Sequence, residues 1–465
     1  MRRGVQLSRR EEISLVLRLS VPAILSQIST IIMEYIDASM VGSLGASASA
    51  AIGIVATTTW LIGGLCAAIG VGFTVGIAHR IGAGDDKAAR DYVKTGFLTV
   101  LIFACALMLI AIAVHRRLPV WMGGGPDVLE DGARYFLVFG LSLPFLQINY
   151  TGAGMLECSG NVKVPSLLNI MMCFLDVVFN AYFIYPSRTV FMPGGGSVFL
   201  PGAGLGVMGA AIGTLCAEAC SAVGILLTIW VFSKKLHFRR GEGLGLNFRA
   251  WLRAIRVSLP VMVTSVITGA SYMAATLIVA PLGTVAVASH SFAITAEGLG
   301  YMPGFGIAHA ATALVGQARG AGRPELEKRF GWLTVLTGMI VMAFSGLLIY
   351  LFAPKMIGIM SPDPRIRALG TQILRIEAFA EPLYGASIVA EGVFRGLGRT
   401  GIPSILNLFC MWCIRLPIAA LISGRYGLPG VWTVMCCELC LRGLLYLFMM
   451  RREFRVKCVA GDGSF

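Results

Sequence analysis

LRLSVP at residues 17–22 returns as IRVSLP at 255–260, and PSLLN at 165–169 returns as PSILN at 403–407. Both repeats are 238 residues apart. The same offset carries Leu44-Gly45 onto Leu282-Gly283, and Gly82-Ala83-Gly84 onto Gly320-Ala321-Gly322. Four ungapped coincidences at one spacing identify an internal duplication. The register is lost around residues 187–204, SRTVFMPGGGSVFLPGAG, which face a much shorter connection near Gly424 to Leu428. The first half therefore carries a loop insertion of about 17 residues. Its Gly-Gly-Gly lacks the Lys-Ser/Thr of a phosphate-binding loop, so it reads as a flexible turn.

The duplicated unit is a membrane unit. Of 465 residues, 56% are hydrophobic and 13% charged, with a mean hydropathy of +0.78. A soluble domain carries about 25% charged residues, so this chain lacks the polar surface to face water. At about 20 apolar residues per helical span there is room for roughly twelve spans, six in each half. They are expected to begin near residues 13, 48, 92, 132, 165 and 205, then 255, 286, 331, 372, 403 and 429. The apolar stretch from Ile13 to Met40 is unbroken, so the first span reads as retained rather than as a cleaved signal. An even number of spans per half makes the repeats parallel, related by an axis along the membrane normal. The expected fold is an all-α integral membrane protein of two pseudo-symmetric six-helix bundles around a central cleft. Its divisions are a first bundle over 1–232, a basic linker over 233–254, a second bundle over 255–450 and a tail over 451–465.

The formal charge of +14 is set by topology. With the N-terminus cytoplasmic, about 25 Lys/Arg fall on inner segments and about 7 on outer ones, the positive-inside pattern. The heaviest cluster, Lys234, Lys235, Arg239, Arg240, Arg249, Arg253 and Arg256, lies in one inner loop. Interleaved aromatics of a nucleic-acid groove are few, so no nucleic-acid partner is expected. Cys410, Cys413, Cys436, Cys437 and Cys440 sit in apolar runs without a His pair. They read as small packing residues, neither zinc ligands nor a disulfide framework.

Several segments resemble one family. PAILSQISTIIMEYIDASMVGSLG (22–45) resembles the first helix of multidrug and toxic compound extrusion (MATE) transporters, with an acidic residue shortly before a Met-Val-Gly…Leu-Gly ending. GIAHRIGAGDDKAAR (76–90) and LVGQARGAGRPELEK (314–328) look like the family's paired inner loops. GVFRGLGRTGIPSILN (392–407) looks like the loop leading into its eleventh helix, and GVMGAAIGT (206–214) like the start of its sixth. The resemblance implies a polyspecific antiporter that expels amphipathic, often cationic, compounds while H⁺ or Na⁺ moves inward. It implies no enzymatic activity and no cofactor beyond the coupling ion. The expected setting is the inner (plasma) membrane, multi-pass, with both termini cytoplasmic. The expected partners are small drug-like molecules and the lipid bilayer, with the chain acting as a monomer.

Ionisable residues at membrane depth are functional candidates by default. In the first half these are Glu34 and Asp37, three apart on one helical face, with Asp176 and Glu218 further along. By the resemblance, Asp37 is the cation or proton site, and also the one place for a Na⁺. Asp176 and Asn180 fall where the family shows Asn-x-x-x-Asp, here in reversed order, and Thr214 matches a hydroxyl of the sixth helix. Carboxylates grouped in low dielectric cannot all stay charged without a cation. Binding or losing one is expected to repack the first helix near Pro22 and narrow the cleft. In one branch of the family the second half carries acids where this chain has Thr268 and Tyr384, so Glu381, Glu297 and Glu391 are its second-half candidates. Arg415 is a possible neutralising partner, and His290 reads as a packing residue or a relay. Met33, Tyr35, Met40, Phe292, Tyr301 and Tyr384 are expected on the cleft wall, since Met and aromatics suit promiscuous cation recognition. A lipid-linked oligosaccharide flippase of the same superfamily is the nearest alternative. Its pyrophosphate cargo would favour a basic cavity, whereas the membrane-depth charges here are mostly acidic.

Overall fold

The computed structural model describes residues 8–191, 197–233, 235–237 and 247–459. Apolar runs in a bilayer must satisfy every backbone group internally, which leaves helices as the solution. α1 (Arg9–Gly42), α2 (Ala46–Gly82), α3 (Asp86–Val114), a single turn α4 (Leu118–Trp121), α5 (Pro126–Cys158), α6 (Lys163–Ile184) and α7 (Gly206–Leu227) build the first half. α8 (Phe248–Val279), α9 (Thr284–Gly320), α10 (Pro324–Met360), α11 (Pro364–Ala378), α12 (Glu381–Gly396), α13 (Gly401–Leu408) and α14 (Leu416–Val459) build the second.

Nine segments among the described residues are long and apolar enough to cross a membrane. One of them, 401–455, would be about 80 Å long as a straight helix, too long for one crossing. It breaks at Gly427 (φ 59°) and supplies two. α9, made less apolar by its buried His290 and Glu297, adds a crossing, and so does the broken pair α11–α12. Twelve crossings result.

The duplication is written in the backbone. Gly45 and Gly283, Gly84 and Gly322, and Gly160 and Gly398 all have positive φ, each pair at the sequence offset of 238. Gly206 and Gly427 form a fourth pair, offset by 221, the earlier spacing less the insertion. The described arms of that insertion form a two-stranded ribbon. Pro186–Phe191 (β1) and Ser197–Ala203 (β2) pair antiparallel, with Thr189 opposite Phe199 and Val190 opposite Val198. The β-branched residues of both arms suit a pleated ribbon. Gly194–Gly196, at its tip, lie outside the described residues.

Helices run further into the basic segments than apolar length suggests. α1 starts at Arg9, held by a Ser8–Glu11 capping box. α8 starts at Phe248, inside the stretch expected as linker, because the Asn247 side chain caps the Ala250 N–H at 3.1 Å. α14 continues to Val459, through most of the expected tail. Lys234, Arg239 and Arg240 lie outside the described residues.

The two halves meet at the face where α1 begins and α14 ends, here the termini face; the hairpin marks the opposite one. Two hydrogen bonds cross the interface there as a symmetric pair. His79 Nε2 lies 2.8 Å from the Gly396 carbonyl, and Gln317 Nε2 donates to the Cys158 carbonyl at 2.8 Å. The offset of 238 exchanges one bond with the other. Backbones approach closely enough that a Cβ on Gly82 would sit 2.1 Å from the Gln317 carbonyl oxygen, and one on Gly320 1.9 Å from that of His79. Ser258, in α8, donates to Ile69 O at 2.7 Å and accepts from Gly72 N–H at 2.9 Å. Among the described residues, no hydrogen bond between halves lies nearer the hairpin face than Tyr35 Oη to the Thr295 carbonyl, 3.0 Å. The hydrogen bonds between the halves are therefore gathered towards the termini face.

Candidate functional site

The first cluster lies where α1, α6 and α7 meet, in the hairpin-side part of the first half. Asn180 and Asp176, four apart, stack on one face of α6, and both are 1% exposed. The Asn180 side-chain nitrogen carries two donors, and it uses them on two acids: Asp37 Oδ1 at 2.9 Å and Asp176 Oδ2 at 3.0 Å. A neutral amide joins the carboxylates without cancelling their charge. Asp176 Oδ1 and Asn180 Oδ1, both buried, have no hydrogen-bond partner among the described residues. Oxygen atoms so placed suit a proton or a hard cation. The reversed Asp-x-x-x-Asn order puts the amide nearer the hairpin face and the charge one turn deeper.

Two glycines bring α7 within reach. A Cβ on Gly209 would sit 2.4 Å from the Phe183 carbonyl, and one on Gly213 2.0 Å from Asn180 Oδ1. This Gly-x-x-x-Gly spacing lets the helix backbones touch. Gly213→Ala is expected to push the amide off Asp37 and lower transport at least as much as stability, with the overlap costing about 1–3 kcal/mol. Parallel transport assays and thermal unfolding check this; wild-type transport in a folded variant would show that the amide bridge is dispensable. Thr214, the next residue, is half-buried, and its hydroxyl bonds the Ala210 carbonyl at 3.2 Å while facing Asp176. Glu34 is exposed and makes no hydrogen bond to the bridge among the described residues. Two further members are Tyr135 of α5, within electrostatic reach of Asp37, Asp176 and Glu218, and Glu218 itself, whose backbone carbonyl accepts from Asn149 at 3.0 Å.

The second cluster is at mid-depth in the other half. The tenth crossing breaks at Phe379–Ala380, and the break sets Glu377 on the last turn of α11 and Glu381 on the first turn of α12. Glu381 thereby meets the positive end of a helix dipole. Glu377, Glu381, Glu297 and Glu438 are all buried, with Arg415 and Arg442 as the cations beside them. A π-helical turn over Phe409–Arg415 carries Arg415 inward, where its guanidinium touches Met435 Sδ. Both arginines turn to one acid: Arg442 Nε lies 3.1 Å and Arg415 Nη1 4.0 Å from Glu438 carboxylate oxygens. Neither oxygen of Glu377 or of Glu381 has a hydrogen-bond partner among the described residues. Arg415 thus pairs with Glu438 and also lies within electrostatic reach of Glu297, one of the sequence candidates. Removing Arg442 (Arg442→Ala) would strand a buried charge and is expected to destabilise by about 3–5 kcal/mol. Glu381→Gln, at an acid without partners, is expected to leave the melting temperature unchanged or higher. Equal melting shifts in both variants would contradict this division.

Other sequence candidates fall elsewhere. Glu391 sits ten residues beyond Glu381, about 15 Å along α12. There it pairs with Arg395 and accepts from Asn407 Nδ2 at 3.4 Å, so it is not part of the mid-depth cluster. Tyr384 is buried inside the second bundle, with Arg442 over its ring at 5.7 Å, whereas Tyr301, which meets it edge-on at 5.8 Å, is half-buried and within electrostatic reach of Glu34 on α1. Phe292 packs against the Ala296–Ile349 cluster and Met40 against the Val41–Ile184 cluster. Met33 and Tyr35 are half-buried on α1, with Tyr35 bonded across the interface. His290 accepts from Trp432 Nε1 at 3.1 Å in a packed setting. Neither cluster is duplicated: the offset of 238 takes Asp37 to Ala275, Asp176 to Ile414 and Asn180 to Ile418, and it takes Glu381 back to Leu143.

The MatE family model matches residues 22–182 and again 260–421, its two copies starting 238 residues apart. The chain belongs to the MatE family. MatE relatives include a Thermotoga maritima protein described as probable multidrug resistance protein NorM, 27% identical over 95% of this chain and 93% of its own length. A Pseudomonas aeruginosa protein of the same description is 27% identical over 90% of this chain and 85% of its own. A crystal structure described as MATE in complex with MaL6 superposes with a TM-score of 0.88, covering 98% of this chain and 99% of that one at 21% identity. This MatE protein is a multi-pass membrane transporter, not an enzyme.

Proposed function

We propose that the protein is a cation-coupled multidrug efflux antiporter of the plasma membrane, with both termini cytoplasmic, working as a monomer by alternating access. It exports small amphipathic, often cationic, compounds against an inward flow of H⁺ or Na⁺. The observation that carries this reading is the single Asn180 amide bonded to Asp37 and Asp176, which ties α1 to α6 beside the cleft. A cation or proton at these acids changes what the amide can bond, and so changes how α1 packs. When the cleft is open to the outside, ion arrival at Asp37 and drug departure use the same mouth, as antiport requires. The multidrug description of the relatives supports the cargo class. The excess of acids over bases at membrane depth favours cationic over pyrophosphate cargo. Buried Glu377 and Glu381, with Glu297, form a second place for a cation.

The test is ethidium export from proteoliposomes under separately imposed pH and Na⁺ gradients. Export driven by one gradient identifies the coupling ion. No export under either, with folded protein, would favour the flippase.

A further inference from the structure

At the termini face, α1 and the start of α6 enclose an open groove of about 720 Å³. One side is apolar: Ile13, Leu17 and Val21 stand one turn apart on α1, and each is 46–49% exposed. The ridge continues to Leu25, 51% exposed. The other side is cationic, with Arg10 and Arg18 on the neighbouring ridge of α1 and Lys163 on the first turn of α6. None of the three cations has an ion pair or hydrogen bond among the described residues. The nearby acids are committed elsewhere. Glu11 accepts the Ser8 N–H at 2.7 Å in the capping box, and Glu12 pairs with Arg329 of the second half at 3.2 Å. An exposed apolar ridge beside three unpaired cations, at the level where helices leave the bilayer, matches one kind of molecule.

We propose that this groove binds one anionic phospholipid, its phosphodiester held by Arg10, Arg18 and Lys163 and an acyl chain lying along Ile13, Leu17 and Val21. Basic pockets between membrane helices recognise headgroups in this way. A cationic drug is repelled by the same charges, and a soluble anion would leave the apolar ridge in water. The floor of the groove includes Pro22, which has no N–H to offer the Arg18 carbonyl. The bound lipid therefore rests against the one point where the α1 hydrogen-bond ladder is broken.

The test is lipid retention by the full chain, read by native mass spectrometry with phosphatidylglycerol, phosphatidylcholine and sn-glycerol 3-phosphate as probes. Phosphatidylglycerol is expected to be retained over phosphatidylcholine. The combined variant Arg10→Gln, Arg18→Gln, Lys163→Gln is expected to weaken that preference at least about tenfold, since each interfacial cation adds to the attraction of an anionic headgroup. Arg451→Gln with Arg452→Gln, exposed at the same face, is expected to keep it. Ser14→Trp, which fills the groove and leaves the charges, must also weaken binding, so the proposal survives failure of the triple variant to fold. Equal losses in the two charge variants would mean diffuse attraction and overturn it. Displacement of the lipid by sn-glycerol 3-phosphate at similar concentration would mean a soluble-phosphate site and also overturn it.

Discussion

Asp37→Asn is expected to cut gradient-driven export by roughly 5- to 150-fold while leaving a folded protein. The variant keeps an oxygen for the Asn180 N–H, so the bond measured at 2.9 Å has a partner and α1 can still dock on α6. What it removes is the charge that a proton or Na⁺ would answer. Coupling free energies between sites are typically about 1–3 kcal/mol, so losing the ion's differential affinity should slow export by roughly 5- to 150-fold. A ligand that binds two states equally shifts neither, and the gradient would then do no work on the protein. The measurement is ethidium export against both gradients, with thermal unfolding as the control. Near-normal export would move the coupling site to the Glu377–Glu381 cluster. The companion Glu381→Gln, stable by the argument above, would then carry the loss.

Gly82→Val and Gly320→Val are expected to hold the termini face apart. Each added side chain would meet a carbonyl oxygen across the interface, at 2.1 Å and 1.9 Å for its Cβ alone. A backbone carbonyl on a membrane helix cannot swing away as a side chain can, so the halves must separate. Overpacking of this kind costs about 1–3 kcal/mol or more, enough to shift a two-state equilibrium about tenfold. Separation also removes the His79–Gly396 and Gln317–Cys158 bonds together, because both span the same seam. Pulsed-EPR distances between labels at Ala83→Cys and Ala321→Cys, in a cysteine-free background, should lengthen, and export should fall by about tenfold. Unchanged distances with normal export would show that this close approach is not part of the working cycle.

Much of this architecture is legible in the residues, for a physical reason. Membrane helices announce themselves by apolar length, and a duplication by its constant spacing, so the twelve crossings follow from composition and the offset alone. The bridge of Asp37, Asp176 and Asn180 is also legible, because acids and amides are rare enough at that depth to be noticed. Its neighbours are not. Tyr135 belongs to the cluster through the rotation of α5, which an almost uniformly apolar sequence leaves unmarked. Gly213 matters because of what faces it. The break between α11 and α12 hides in a run that reads as one span, although Pro382 directly after Glu381 is a signal in retrospect. Glu438 and Arg442 were also readable, as opposite charges four apart in an otherwise apolar run.

The crossed hydrogen bonds and the unpaired polar clusters record different histories of one duplicated gene. Where the halves touch each other, His79 and Gln317 still perform the same task in mirrored places, and the positive-φ glycines still turn at matching positions. Where the acid clusters lie, nothing matches: Asp37 answers to Ala275, and Glu381 to Leu143. Two copies of the first half could rebuild the seam between halves, yet they would carry two bridging amides and no arginine-bearing cluster. The ancestral repeat thus survives as a seam shared by both halves, while each half holds buried acids that its counterpart lacks.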